Sequence, residues 1–250
     1  MREILCITTY PPRECGIATF SNDLIQAIHT KFGSSYSIKV CALETDTEKH
    51  TYSDTVKYTL NTNESSDYQQ LINRINDDTE ISLVLIQHEF GLFAKHEEEF
   101  LQFIKTVTKP VIIVFHTVLS NPEKTLQQYL QQLISHCSSV IVMTQTSAHI
   151  LQQEYQITKD KINIIPHGTH LVTHSDKKTL KEKYKVSGRR VLTTFGLLSS
   201  GKSIETTIES LPAIIKEDPT VLFLIIGKTH PTVLKNEGEK YREMLQARIK

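Results

Sequence analysis

A parallel sheet with helices wound over both faces, an α/β architecture, follows from three features of this 250-residue chain. Short apolar runs alternate with longer stretches of helical periodicity, the pattern of repeated strand–helix units. The runs are β-branched and apolar at consecutive positions, as strands buried on both faces must be. Composition agrees: 39% of residues are hydrophobic, and no repeat or low-complexity stretch interrupts the alternation. A chain of this size can bury one large core or two smaller ones.

Taken in order, strands are expected at 4–8, 38–43, 83–87, 111–115, 140–143 and 162–165. Helices are expected at 18–29, 67–76, 97–106, 123–136 and 147–154. The segment 45–66 is polar and poorly patterned and receives no element. Pro166-His167-Gly168 breaks the alternation, and a polar stretch continues to Gly188. A second α/β pattern begins at Arg190: a strand at 191–195, a loop, a helix at 204–215, a strand at 221–226 and a helix from about 238. The expected organisation is a complete domain over 1–165, a linker over 166–188 and a partial domain over 189–250. Two strands do not close a sheet of this kind, and the last helix stops in mid-pattern with no Gly or Asn cap. A fragment of a longer protein is therefore expected.

The 28 basic and 28 acidic residues cancel, but not locally. From Pro166 onward there are 15 Lys and Arg against 9 Asp and Glu. A basic second part suits an anionic ligand such as a nucleotide diphosphate, although much of the excess lies in 177–185, which reads as an ordinary solvated helix face. The cysteines Cys6, Cys15, Cys41 and Cys137 form no C-x-x-C pair. Cys6 and Cys41 sit in apolar strands as small core residues, and a reduced, cytoplasmic protein is the simplest expectation. Met1-Arg2-Glu3 leads straight into a strand without a signal-peptide stretch. No run reaches the ~18 apolar residues of a membrane span; a peripheral membrane contact stays open.

Gly196-Leu197-Leu198-Ser199-Ser200-Gly201-Lys202-Ser203 satisfies the phosphate-loop pattern G-x-x-x-x-G-K-[ST] between a strand and a helix. A nucleotide hydrolase also needs an apolar strand ending in Asp to help hold Mg²⁺. The strand after the motif runs into Gly227-Lys228, and the others end in Gln87-His88-Glu89, His116-Thr117 and Met143-Thr144. Only 47 residues follow Ser203, too few for the rest of such a sheet. The loop is expected near a phosphate, but not as an ATPase loop.

Three further sites stand out. Gly16 follows the first strand and opens a helix, where a missing Cβ admits close approach and free N–H groups favour an anion; as punctuation alone, a Pro-Pro turn and a glycine would look the same. His88 and Glu89 end one strand and His116 ends the next, at the edge where open α/β sheets bind ligands. A satisfied polar pair at a strand end is the bland alternative for His88 and Glu89. The spacing of His167, His170 and His174 suits one helix face, yet Pro166 and Gly168 are a poor place to start a helix, and no metal is expected.

Together these segments resemble the retaining glycosyltransferase family 4, closest to its mannosyltransferase-like branch. The resemblance rests on the turn from Thr9 to Phe20, Gln87-His88-Glu89-Phe90-Gly91, His116, the octapeptide at 196–203, the hinge Ile165-Pro166-His167-Gly168, and 227–242. It implies a GT-B fold with one complete Rossmann-like domain and the first half of a second. It further implies transfer of a hexose, mannose for this branch, from a nucleotide-diphosphate sugar to a saccharide or lipid-linked acceptor in polysaccharide or glycoconjugate synthesis. His116 would be catalytic, contacting the donor sugar. Gly16, Gly196 and Lys202 would hold the diphosphate, with Lys202 also catalytic; His88 and Glu89 would line the acceptor side. The leaving phosphate itself would act as base. No cofactor and no nucleic-acid partner are implied. Leu197 stands where the family usually has Arg, Ser203 where it has Gly, Cys15-Gly16 where many members have Gly-Gly, and the family's Glu-x7-Glu element is absent. The rival readings are a non-catalytic binding remnant and a P-loop NTPase.

Overall fold

The computed structural model describes residues 2–169 and 171–249, and the chain divides into two compact units after Thr169. The first unit holds β1 (Glu3–Thr8), β2 (Ser37–Glu44), β3 (Val56–Asn61), β4 (Ile81–His88), β5 (Val111–Phe115), β6 (Ser139–Val142) and β7 (Ile162–Ile164). They form one sheet in the order β3-β2-β1-β4-β5-β6-β7, with every neighbouring pair parallel. The connecting helices are α1 (Gly16–Phe32), α2 (Ser65–Asp77), α3 (Phe90–Phe93), α4 (Glu97–Thr106), α5 (Lys124–Ser135) and α6 (Gln145–Gln153). This is the expected α/β plan, and the strand order reverses between β1 and β4.

Apolar runs become strands here because both faces of the sheet are covered. Successive side chains on a strand point to opposite faces. Leu5 and Ile7 of β1 accordingly join a large cluster with residues of α2, α4, α5 and α6, while Cys6 joins a smaller one with Ile25 of α1. Cys6 and Cys41 are buried free thiols. Burial pushes the Cys6 thiol up to about 12, so it packs as an apolar residue and does not react.

The main difference from expectation is β3, which lies inside the segment left without structure. Val56, Tyr58 and Leu60 alternate with Lys57, Thr59 and Asn61, the period of an edge strand, but the polar residues on both sides hide six-residue alternation. Lys57 fastens this edge: its Nζ lies 2.8 Å from Glu3 of β1 and 2.7 Å from Asp78 beyond α2. Burial works against the Lys57 charge, but bonds to Asp78 and Glu3 carry its pKa above the usual lysine value. The short α3 was also not expected. Other expected boundaries move by at most three residues.

The second unit contains α7 (Lys177–Lys183), β8 (Arg190–Phe195), α8 (Ile204–Glu217), β9 (Val221–Ile226), α9 (Pro231–Glu237) and α10 (Lys240–Ile249). Strands β8 and β9 pair in parallel. Their cover is a small core of Leu198, Ile204, Ile208, Tyr241 and Leu245. Beyond the strand ends the chains approach closely: Gly196 N donates to Ile226 O at 3.0 Å and Leu198 N to Lys228 O at 2.8 Å. A Cβ on Gly227 would stand 1.8 Å from the Gly196 carbonyl oxygen, so only glycine fits there.

Candidate functional site

Ligands of open parallel sheets gather at the carboxyl ends of the strands where the order reverses. Here that point lies between β1 and β4, so the β1–α1 turn, the end of β4 and the end of neighbouring β5 meet at one edge. The turn is built around Cys15, whose Sγ caps α1 by accepting from Ala18 N at 3.4 Å and lies 3.1 Å from Thr9 Oγ1. Thr8 Oγ1 and Ser21 Oγ, 2.6 Å apart and both buried, pin the helix to β1. Gly16 is exposed as the first residue of α1, and a Cβ there would meet nothing within 4 Å. The space ahead of this helix end is open, and its first amides lack intrahelical acceptors.

His116 follows β5 and is half-buried. Its backbone N donates to His88 O at 3.0 Å, which extends the β4–β5 ladder past the last strand residues. Its ring Nε2 lies 2.8 Å from Gln87 Oε1. Phe20 of α1 meets the imidazole edge-on at 5.0 Å between centroids, and the ring of His167 lies 5.0 Å from Phe20 as well. Burial holds the His116 pKa below the ordinary imidazole value; Glu89 works in the opposite direction and His167 adds to the lowering. A neutral ring at neutral pH results. It can exchange one hydrogen bond with Gln87 and offer its second nitrogen to a ligand.

Glu89 is partly exposed beside it. One carboxylate oxygen accepts from Phe90 N at 3.1 Å and the other from Thr117 Oγ1 at 2.6 Å. The two turns are thus tied by side chains as well as backbone. His88 departs from expectation. Expected to line a cleft, it is 2% exposed and enclosed by Phe90, Phe93, Phe100 and Phe115 at 4.9–5.9 Å. The side chain alternates to the interior face of β4, which a polar residue at a strand end does not reveal in sequence. Its Nδ1 is buried without a partner, and burial lowers its pKa to about 3. His88 is a neutral packing residue and presents no surface to an acceptor.

In the second unit the octapeptide folds as a tight turn between β8 and α8. Gly196 has φ 139°, Ser200–Lys202 is a 3-10 turn, and Ser203 is left-handed at φ 47°. Four of its amides are engaged within the protein: Gly196 N donates to Ile226 O, Leu198 N to Lys228 O, Lys202 N to Ser199 O and Ser203 N to Ser200 O; just beyond it, Ile204 N donates to the Tyr241 hydroxyl. Tyr241 in turn donates to Glu205 at 2.6 Å. A cradle needs such N–H groups turned toward the phosphate. Leu198 is buried and anchors the loop, while Lys202 is exposed. The Lys202 side chain is therefore open to solvent at the 3-10 turn that precedes α8.

Of the three histidines considered for metal, His167 and His174 lie in irregular backbone and share no helix face; His170 lies outside the described residues. Among the described residues there is no group of three or more metal-ligating side chains. Nor is any helix among them long and apolar enough to cross a membrane. In the sequence Phe20 and Thr117 stand out only as members of motifs, with no role assigned. Gln87 likewise stands out only as part of a motif, although a Gln–His pair closing two adjacent strand runs was a legible signal.

Comparison with known proteins agrees with this architecture. Residues 70–173 match the sequence profile of Glycosyltransferase Family 4. No curated protein sequence matches the chain. Among solved structures, Anabaena HepE in complex with UDP and glucose is similar over all of this chain and 66% of its own, with a TM-score of 0.63 at 15% identity. S. aureus MnaA bound to UDP is similar over 97% of this chain and 66% of its own, with a TM-score of 0.54 at 16% identity. An alpha-glucosyltransferase in complex with UDP and DNA gives 0.52 at 8% identity, over 96% of this chain and 60% of its own. This chain thus spans 60–66% of the length of these three solved chains. The fold is that of the GT-B proteins, and residues 70–173, less than half of the chain, are similar to Glycosyltransferase Family 4.

Proposed function

We propose that the protein takes part in glycosyl transfer, moving a hexose from a nucleotide-diphosphate sugar to a hydroxyl of a saccharide or lipid-linked acceptor with retention of configuration. The observation that carries this reading is the overlap of the Family 4 match, residues 70–173, with the β4–β5 edge bearing Gln87, Glu89 and His116. The UDP found in structures of similar fold makes uridine the first donor base to test. Mannose, from the resemblance of the sequence motifs, is the first sugar, and polysaccharide or glycoconjugate synthesis, with a peripheral membrane contact, is the setting that fits.

The hard step is cleavage of the anomeric C–O bond, which leaves negative charge on the departing diphosphate. Preorganised positive groups aimed at that charge lower the barrier. Lys202 and the exposed end of α1 at Gly16 are the candidates. His116, neutral at pH 7, would accept a hydrogen bond from a donor hydroxyl and orient the sugar. Glu89, already engaged by Thr117 and Phe90, would face the acceptor. No carboxylate pair of the glycosidase type is called for if the leaving phosphate serves as base.

The test is transfer from radiolabelled UDP- and GDP-hexoses to a panel of saccharide and lipid-linked acceptors, with product configuration read by NMR. Labelled product with retained configuration is expected. His116→Ala and Lys202→Ala should each lower kcat by about 10²–10³, the size of a lost charge-stabilising or orienting group. Turnover near that of the unaltered protein in both variants would overturn the reading.

A further inference from the structure

We infer that Gln87 is a positioning residue that selects the tautomer of His116. This deepens the reading given above and rests on it for its consequence, but not for its test. Gln87 is completely buried next to the last residue of β4, and His116 is the first residue after β5. The ladder between these strands pairs Gln87 with Val114 and His88 with Phe115, and the bond from His116 N to His88 O continues it. The backbone therefore fixes the origin of the imidazole, and Phe20 stands against its edge.

With position and plane so constrained, the 2.8 Å contact between Gln87 Oε1 and His116 Nε2 decides which nitrogen carries the proton. A carboxamide oxygen accepts only, so Nε2 must be the N–H and Nδ1 the lone pair. On the far side, the Gln87 Nε2 is buried without a hydrogen-bond partner, so the contact with His116 is the bond that the carboxamide makes. An imidazole ordered in this way presents a hydrogen-bond acceptor to a sugar hydroxyl. The opposite tautomer would present a donor, and a protonated ring two donors. Glutamine is neutral, so it sets the tautomer without raising the ring's pKa as a carboxylate would. The charged and titratable groups around the ring are Glu89, His167 and His88.

Long-range ¹H–¹⁵N spectra of the whole chain, labelled at histidine, test this directly, with His116 assigned through His116→Gln. At pH 8 the expected His116 signature is protonated Nε2 and unprotonated Nδ1. In Gln87→Leu the ring should become a tautomer mixture. In Gln87→Glu it should titrate at least one pH unit higher than in the unaltered protein. Protonation on Nδ1 in the unaltered protein overturns the inference, and so does an unchanged spectrum in a folded Gln87→Leu variant. If Gln87→Leu does not fold, the spectrum of the unaltered protein still decides. The transfer assay is separate: the tautomer can be as stated while no hexose moves, which would sink the functional reading alone. Transfer with the Nδ1–H form would sink the role of Gln87 alone.

Discussion

At His88 a titratable side chain is packed among four phenylalanine rings with one nitrogen lacking a partner. An unfolded chain protonates this histidine near 6.5, the folded one only near about 3. Between those values the unfolded state binds the extra proton. The residue's contribution to stability is therefore intact above pH ~6.5 and is lost as pH falls toward 3, at up to ~1.4 kcal/mol per pH unit. His88→Phe should flatten the fall of the urea midpoint between pH 6 and 4.5, a window above most carboxylate titrations. An unchanged slope would mean that the ring is not held dry. Gly16 permits a second prediction of a different kind. With open space ahead of it, Gly16→Ala should leave stability unchanged or raise it by about 0.5–1 kcal/mol. If a diphosphate approaches that helix end, the same change should weaken UDP binding in a calorimetric titration, and equal affinity would remove Gly16 from the site. Both roles were only half legible in sequence: a polar residue at a strand end and a glycine before a helix are visible, but which way the first points depends on the pleat, and what the second faces depends on the sheet order.

At the level of elements, glycine-enforced contact and ion pairing do work that periodicity does not announce. Gly227 lets the ends of β8 and β9 meet, since a Cβ would overlap the Gly196 carbonyl. Gly227→Ala should cost at least ~2 kcal/mol in urea unfolding of the chain, because backbone and not a flexible side chain must yield. A loss under ~0.5 kcal/mol would show that the loop relaxes freely. On the other edge, Lys57 binds β3 to Glu3, itself 5% exposed. Removing one partner from a pair so buried leaves a charge without compensation, so Lys57→Met should destabilise by about 3 kcal/mol; the double change with Glu3→Gln should recover part of that loss. The long apolar strands and amphipathic helices were readable because their burial repeats at 2 or 3.6 residues over many positions. β3 was obscured because an edge strand carries polar residues and is held partly by side chains from distant segments.

For the molecule as a whole, the division after Thr169 is the feature that solution experiments reach most readily. Leu171 and Val172 are 103% and 82% exposed in irregular backbone, an arrangement that offers apolar side chains to a protease. Brief thermolysin treatment should cut first near these residues and leave two fragments on either side, identified by mass spectrometry. First cleavage within 45–66 would show instead that the β2–β3 connection is the weaker region. The alternating pattern of apolar runs and helical stretches was enough to establish an α/β protein with a break near Pro166, because local burial writes its period into the chain. Motifs at the strand ends, not the alternation, singled out Gly16, His88, Glu89, His116, Gly196 and Lys202 as candidates. Only the folded chain decided that β1, β4 and β5 are neighbours, that Gln87 touches His116, and that His88 turns inward. Those facts depend on strand order and register, which are set by contacts between residues tens of positions apart and leave no periodic trace in any one segment.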